Sequence, residues 1–188
     1  MDAIDLLLKR ETALKLAEPG PSQADLDAMF DAAVRTPDHG RLRPWHFVVI
    51  GAQQREAFGE LLAQSALRRD PDTSAEMLKR ERAKALRAPT IIVTVARVNR
   101  GHKIPAFEQI ASAAAATQTL LLAANARGFG GMWKTGDAAY DTEVKTALGL
   151  SAEDEIMGFL YIGTDVGGIS PIPRPEAARH VSVWPGRP

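Results

Sequence analysis

The chain has 188 residues, 45% apolar and 24% charged, enough for one domain with a proper core. Its 23 basic residues balance 23 acidic ones, so broad electrostatic attraction to nucleic acid or an anionic membrane is not indicated. There is no cysteine, which excludes disulfides, thiolate metal sites and thiol nucleophiles together.

In chain order, Asp2 is placed to cap a first helix with Ile4, Leu7 and Leu8 on one face, running out in Lys9-Arg10-Glu11-Thr12. Met1-Asp2-Ala3-Ile4-Asp5 lacks the layout of a signal peptide. Ser22 and Asp25 approximate a capping box for a second helix, whose buried face is Leu26, Met29, Phe30 and Ala33. That helix stops before Pro37, because the proline ring disfavours helical geometry in the residue ahead of it. A polar loop with His39, Arg41 and Arg43 leads to Trp45-His46-Phe47-Val48-Val49-Ile50, an aromatic and β-branched run that reads as a buried strand. A cationic loop between a helix end and a core strand suits an anionic or flat polar ligand.

A helix over 53–67 is expected to bury Phe58, Leu61 and Leu62, and Asp70-Pro71-Asp72 breaks it. A charged helix over 74–86 has only Met77 and Leu78 as obvious anchors and reads as a solvated, mobile element. Thr90 to Ala96 is β-branched almost throughout and reads as a central strand. Pro105 starts the longest helix, to about Ala126. Ala111 and Ala113 to Ala116 give it small side chains that let another helix approach closely, as in the interior of a domain or dimer. Its apolar run, Ala111 to Ala126, is too short to span a bilayer, so a cytoplasmic protein is expected. Gly128 is the C-cap. A glycine-rich turn with a short strand inside it runs from Gly128 to Gly136, and a small helix over 143–148 and a strand over 156–162 follow. From Ile169 the chain is rich in Pro and Arg, and His180-Val181-Ser182-Val183-Trp184 is a candidate edge strand. Helices alternate with strands and outnumber them, which fits an α+β domain, or layered α/β, spanning 1–188.

Several chemistries fail on spacing. A phosphate loop needs glycine directly before its Lys-Thr pair; here Trp133 precedes Lys134-Thr135. The glycines lack the strand-before, helix-after context of a dinucleotide fingerprint. His39 and His46 have no partner at ligand spacing, and Ser112 and Ser151 have no glycine elbow. What survives is a ligand loop around Trp133-Lys134-Thr135. Arg10, Thr12 and Lys15 could bind a phosphate, although basic residues at a helix C-terminus equally complement its dipole.

Arg10-Glu11-Thr12, and Arg35-Thr36-Pro37-Asp38-His39 running on to Arg43-Pro44-Trp45, resemble the FMN-dependent nitroreductase family, in its short, single-domain branch. The order of elements is also similar from Asp2 to about Gly163. The resemblance implies a nitroreductase-like fold with a mixed central sheet flanked by helices. It also implies a homodimer with two FMN sites at the subunit interface. Arg10, Glu11 and Thr12 would meet FMN from one subunit, and Arg35 and His39 from the other. Trp133, Lys134 and Thr135 match the turn along the flavin ring. Ala123, Ala124, Asn125, Ala126, Arg127 and Gly128 correspond to a segment assigned to NADPH or NADH. Arg43 replaces the usual Gln before Pro44-Trp45, and Lys15 takes a position often held by Arg. The activity implied is hydride transfer from NAD(P)H through flavin N5 to a nitroaromatic, quinone-like or other small conjugated acceptor. The alternatives are a narrow dehydrogenation on the same fold, or a flavin carrier without turnover.

Overall fold

Asp2 accepts the Asp5 backbone N–H at 2.9 Å and starts α1 (Ala3–Lys9) in the computed structural model, which describes residues 2–168 and 173–186. A two-residue strand, β1 (Leu16–Ala17), follows, unannounced by the sequence because two residues carry no period. The capping box forms as expected at α2 (Gln23–Ala33): the Asp25 N–H donates to Ser22 Oγ at 3.2 Å and the Ser22 N–H to Asp25 Oδ2 at 3.1 Å. Hydrogen bonds from Ser22, and then from Arg127, hold the Asp25 carboxyl below the usual carboxylate range.

Then come β2 (Trp45–Ile50), α3 (Arg55–Arg69), α4 (Ala75–Ala83), β3 (Thr90–Ala96), α5 (Ala106–Ala126), β4 (Gly130–Lys134), α6 (Thr142–Ala147) and β5 (Glu155–Asp165). The end of α5 is a Schellman motif. Gly128, at φ 89°, donates to the Asn125 carbonyl at 3.0 Å, and Phe129 donates to the Ala124 carbonyl at 2.9 Å.

The sheet corrects the expected mixed arrangement: among the described residues every strand pairing is antiparallel. β5 pairs with both β3 and β4, so it lies between them, and β2 continues the sheet beyond β3. β3 and β4 therefore run the same way, joined across α5 like a parallel crossover unit, but β5 is inserted and no parallel neighbours remain. The alternation of strand and helix in sequence is real; the insertion that removes parallel pairing is a long-range event.

Side-chain alternation divides the core. Ile91, Val93 and Val95 of β3, with Phe159 and Tyr161 of β5, pack with Phe58 and Leu62 of α3 and Val144 of α6. Ile92, Leu160 and Ile162 pack with Leu26 and Met29 of α2 and Leu120, Leu121 and Ala124 of α5. All seven residues of β3 are buried, as a central strand requires.

Two further expectations are corrected. Met77 of α4 is exposed, and the connection from α3 to β3 is anchored instead at Ala85, which is fully buried. A Cβ at Gly59 of α3 would lie 2.8 Å from the Arg82 carbonyl, so the missing side chain lets the two helices close; Arg82 Nε donates to Glu60 at 2.6 Å across the contact. Residues 181–186 form no strand, and Val183 and Trp184 are 89% and 80% exposed. The proline- and arginine-rich stretch begins at Ile169, and 169–172 lie outside the described residues. Among the described residues no helix is long and apolar enough to cross a membrane.

His46, half-buried on β2 opposite Val95, gives the fold a pH dependence. Burial first, and the Arg97 charge next, push its imidazole below the ordinary range, against a smaller opposite pull from Asp154. As pH falls below about 6.5 the unfolded chain binds the proton before the folded one, so stability declines until the folded state protonates too. Urea titrations between about pH 7 and pH 5 are expected to show this decline, and His46→Gln to flatten it. An unchanged decline in the variant would exclude His46 as its source.

Candidate functional site

Of the residues singled out by sequence, Arg10, Glu11, Lys15, Arg35, Asn125, Gly128 and Lys134 line three hollows. After α1 the chain runs extended beside β4, where the Ala13 N–H donates to the Gly131 carbonyl at 3.0 Å. The approach is close because β4 begins with glycines: a Cβ on Gly130 would lie 3.1 Å from the Ala13 Cβ and 2.7 Å from the Asp165 Cβ. On one side of this segment, Lys9, Arg10 and Glu11 line a hollow of about 200 Å³ with Asn125, Gly128 and Gly130. On the other, Lys15 and Lys134 line an open cleft of about 510 Å³ with Arg87 and the apolar side chains of Leu14, Leu16, Leu86 and Met132. Among the described residues, Lys15, Arg87 and Lys134 have no ion-pair partner. Thr12 and Thr135 are exposed at this same edge of the sheet.

Trp133 is not the exposed ring that its glycine-rich setting suggests. It is half-buried, and its indole N–H donates to the Met157 carbonyl at 2.9 Å. Gly158 makes room for it, since a Cβ there would run into the indole nitrogen and lie 2.9 Å from the Lys134 carbonyl. Its remaining asset for a ligand is the ring face. Beneath the larger cleft, burial pushes the Tyr161 hydroxyl pKa up, partly offset by the Arg87 charge. Sequence reasoning missed Arg87: an isolated arginine between a helix and a strand carries no signal.

Ala123 to Gly128 is the last turn of α5 and its cap. Ala124 is fully buried, and Arg127 Nε donates to Asp25 at 2.9 Å, so Asn125 and Gly128 are the members that line a hollow. The Asn125 amide N–H donates to the Phe129 carbonyl at 2.8 Å, while its buried Oδ1 has no partner among the described residues.

Arg35 and His39 lie elsewhere. The loop after α2 is tied to α5 by Ser112 Oγ, which donates to the Pro37 carbonyl at 2.8 Å. His39 Nδ1 is 2.6 Å from Glu108 Oε2, near the start of α5. Arg35 lines the third hollow, of about 430 Å³, with Thr36, Asp38, Arg41, Arg43 and Trp45. Asn125 and Glu108 are separated by roughly 25 Å of helix at 1.5 Å per residue. Within one chain the Arg10 set and the His39 set are therefore far apart.

A family model described as the nitroreductase family matches residues 15–164. The Escherichia coli (strain K12) protein named "Putative NAD(P)H nitroreductase YdjA" is 42% identical over 164 residues, covering 87% of this chain and 88% of the relative. Among solved structures, a nitroreductase-like family protein from Bacillus cereus superimposes with a TM-score of 0.85 at 21% identity, over 99% of this chain and 97% of that one. An FMN- and NADPH-dependent nitroreductase, NfnB, from sphigopyxis sp. strain HMH gives 0.79 at 17% identity, over 100% of both chains.

The seat of Trp133 is open to test. Gly158→Ala is expected to displace the indole and to lower stability by about 1–3 kcal/mol, the usual cost of overpacking. Urea unfolding monitored by near-UV circular dichroism measures both effects. An unchanged midpoint and aromatic signal would mean that the ring has other room.

Proposed function

This chain belongs to the nitroreductase family, and from that premise we propose that it is an FMN-dependent NAD(P)H oxidoreductase of the cytoplasm. In this reading it is one domain that works as a homodimer, with a site built from both chains at each end of the interface. Its acceptors are nitroaromatic, quinone-like or other small conjugated compounds. The observation that carries the two-chain reading is the separation along α5. Residues that the family resemblance assigns to one flavin sit toward opposite ends of that helix, so a second copy is needed to bring both sets together. The outward face of α5 suits such a copy: Phe107 is 78% exposed, and Ala111 and Ala115 continue the face with small apolar surface.

The residues at the β4 edge fit FMN by their chemistry. Arg10 offers a planar fork to a phosphate, and Thr12 a hydroxyl beside it. The larger cleft combines apolar side chains with three cations that have no ion-pair partner among the described residues, which suits a flat ring that gains negative charge on reduction. When bound, FMN supplies the hydride chemistry at N5. The chain holds and orients: Trp133 is locked by Met157, the Lys134-Thr135 turn lies at the rim, and Lys15, Arg87 and Lys134 stabilise negative charge there. His39, with Nδ1 engaged by Glu108, keeps Nε2 for the neighbouring subunit's ligand.

Purified protein should carry flavin absorption that bleaches on anaerobic addition of NADPH or NADH and recovers with an acceptor. Bands that persist with both donors would mean a carrier without turnover, and no flavin uptake after incubation with FMN would overturn the reading. Arg10→Ala is expected to weaken FMN binding by about tenfold or more, the loss of a charge-assisted hydrogen bond, with the dimer intact. Mixing Arg10→Ala with His39→Ala chains should restore one complete site per heterodimer, since the two lesions then fall in the same site.

A further inference from the structure

Three cations meet in the larger cleft, and the fold holds each of them by its backbone. Lys134 ends β4 and is paired with Phe159 of β5. Lys15 precedes β1, and its carbonyl accepts the Val166 N–H at 3.0 Å. Arg87 stands between Ala85 and Ala88, both buried. The Ala88 carbonyl accepts from Arg55 Nη1 at 3.0 Å. Pro89, next in the chain, is packed on Gly20 and Gly163, where a Cβ would lie 2.8 Å and 2.6 Å from the proline ring. With α4 closed on α3 at Gly59, the connection into β3 is a packed wall of the cleft and not a detached lid. From that wall the side chains of Leu86 and Arg87 stand exposed. No acid lines the cleft, and Glu81, near the end of α4, is paired with Lys84.

We propose that this cleft selects acceptors that carry their own negative charge, and that Arg87 determines the selection by binding a carboxylate on the acceptor's conjugated ring. The proposal rests on the oxidoreductase reading above and names the substrate class of that same site. In that reading the flavin phosphate belongs with Arg10 and Thr12, and reduction brings a single negative charge to the ring. Most of the cleft's positive charge is then left for the second occupant. The resemblance that places Lys134 beside the flavin ring assigns nothing to Arg87. Its guanidinium offers a planar fork that matches a carboxylate with two parallel hydrogen bonds. Leu86 beside it, with Leu14, Leu16 and Met132, gives the acceptor's ring apolar contact. A neutral acceptor gains the apolar contact alone, and a cationic one is repelled. Overall, a nitro acceptor takes the hydride of NAD(P)H and one solvent proton, becomes the nitroso compound and releases water. Its carboxylate is unchanged and serves recognition only.

The test uses the FMN-loaded protein and two probes, 4-nitrobenzoate and 4-nitrobenzamide, which share the ring and nitro group and differ in charge. Titrated by calorimetry without a hydride donor, the carboxylate is expected to bind about tenfold more tightly, the worth of a charge-assisted hydrogen bond. With the donor present, kcat/KM should show a similar margin. In Arg87→Ala both margins should fall towards unity. A charge lost near the flavin slows both acceptors alike and cancels in the ratio, so the margin reports recognition alone. Arg87→Lys keeps the charge without the fork and should hold part of the margin, and Arg87→Glu should reverse it. Equal binding of the two probes by the unaltered protein would overturn the proposal. So would an Arg87→Ala protein that keeps the margin; a raised KM for NADPH and NADH in it would then mark a site for the donor's phosphates. Loss of FMN from that variant would equally overturn the proposal, by marking a flavin site. Neither probe turns over in the calorimeter, so a margin there without bleaching of the flavin by either donor would count against the oxidoreductase reading alone. Bleaching without a margin would count against this proposal alone.

Discussion

Pairing of β5 with three other strands is the constraint on which the rest of the structure depends. It separates β3 from β4, supplies side chains to both core clusters, and brings β1 against its end at Thr164 and Asp165. Once β5 is in place, β4 has a position, and with it the Arg10–Leu16 segment packed along its glycines. The candidate site is thus an edge feature held by the best-buried part of the molecule. Its loops inherit their placement from a strand that itself contributes little surface.

Much of this was legible from local rules, because caps and strands are decided locally. Asp2, Ser22 and Gly128 each do what their residue type and position imply. The strands over 45–50 and 90–96 coincide with their β-branched runs. Failures came where a distant partner decides. Trp133 looked free because Gly158 and the Met157 carbonyl, which enclose it, are more than twenty positions away. The alternation at 180–184 looked like a strand, but alternation marks two faces and does not supply an edge to pair with. Arg87 enters the larger cleft only because the α4–β3 connection comes back beside β4. No spacing rule contains that return.

The long helix α5 acts as a ruler for the site. Its C-terminal turn is next to Arg10 through Asn125 and Gly128, and its first turns hold His39 through Glu108. Small residues along its outer face cost little side-chain entropy on burial, so a second copy can approach without ordering long side chains. One helix thereby fixes the spacing between the two half-sites and presents a face on which those halves could be completed. The same spacing keeps the Arg10 and His39 groups far apart within one chain.

Zero net charge, finally, describes the chain and not its clefts. Some acids are committed to partners brought in by the fold: Asp25 to Arg127, Glu60 to Arg82, Asp141 to Arg68, and Glu153 and Glu155 to Arg100. The cations left without partners among the described residues include Lys15, Arg87 and Lys134 in one cleft and Arg35, Arg41 and Arg43 in another. Exposed pairs of this kind add little to stability, and the cleft lined by Lys15, Arg87 and Lys134 has no acid in its wall. Low-dielectric walls then focus the field of the remaining cations. A neutral protein can in this way attract small anions at two sites while showing no general affinity for polyanions. Composition speaks only to the summed charge; where the cations without partners gather is decided by the folded arrangement.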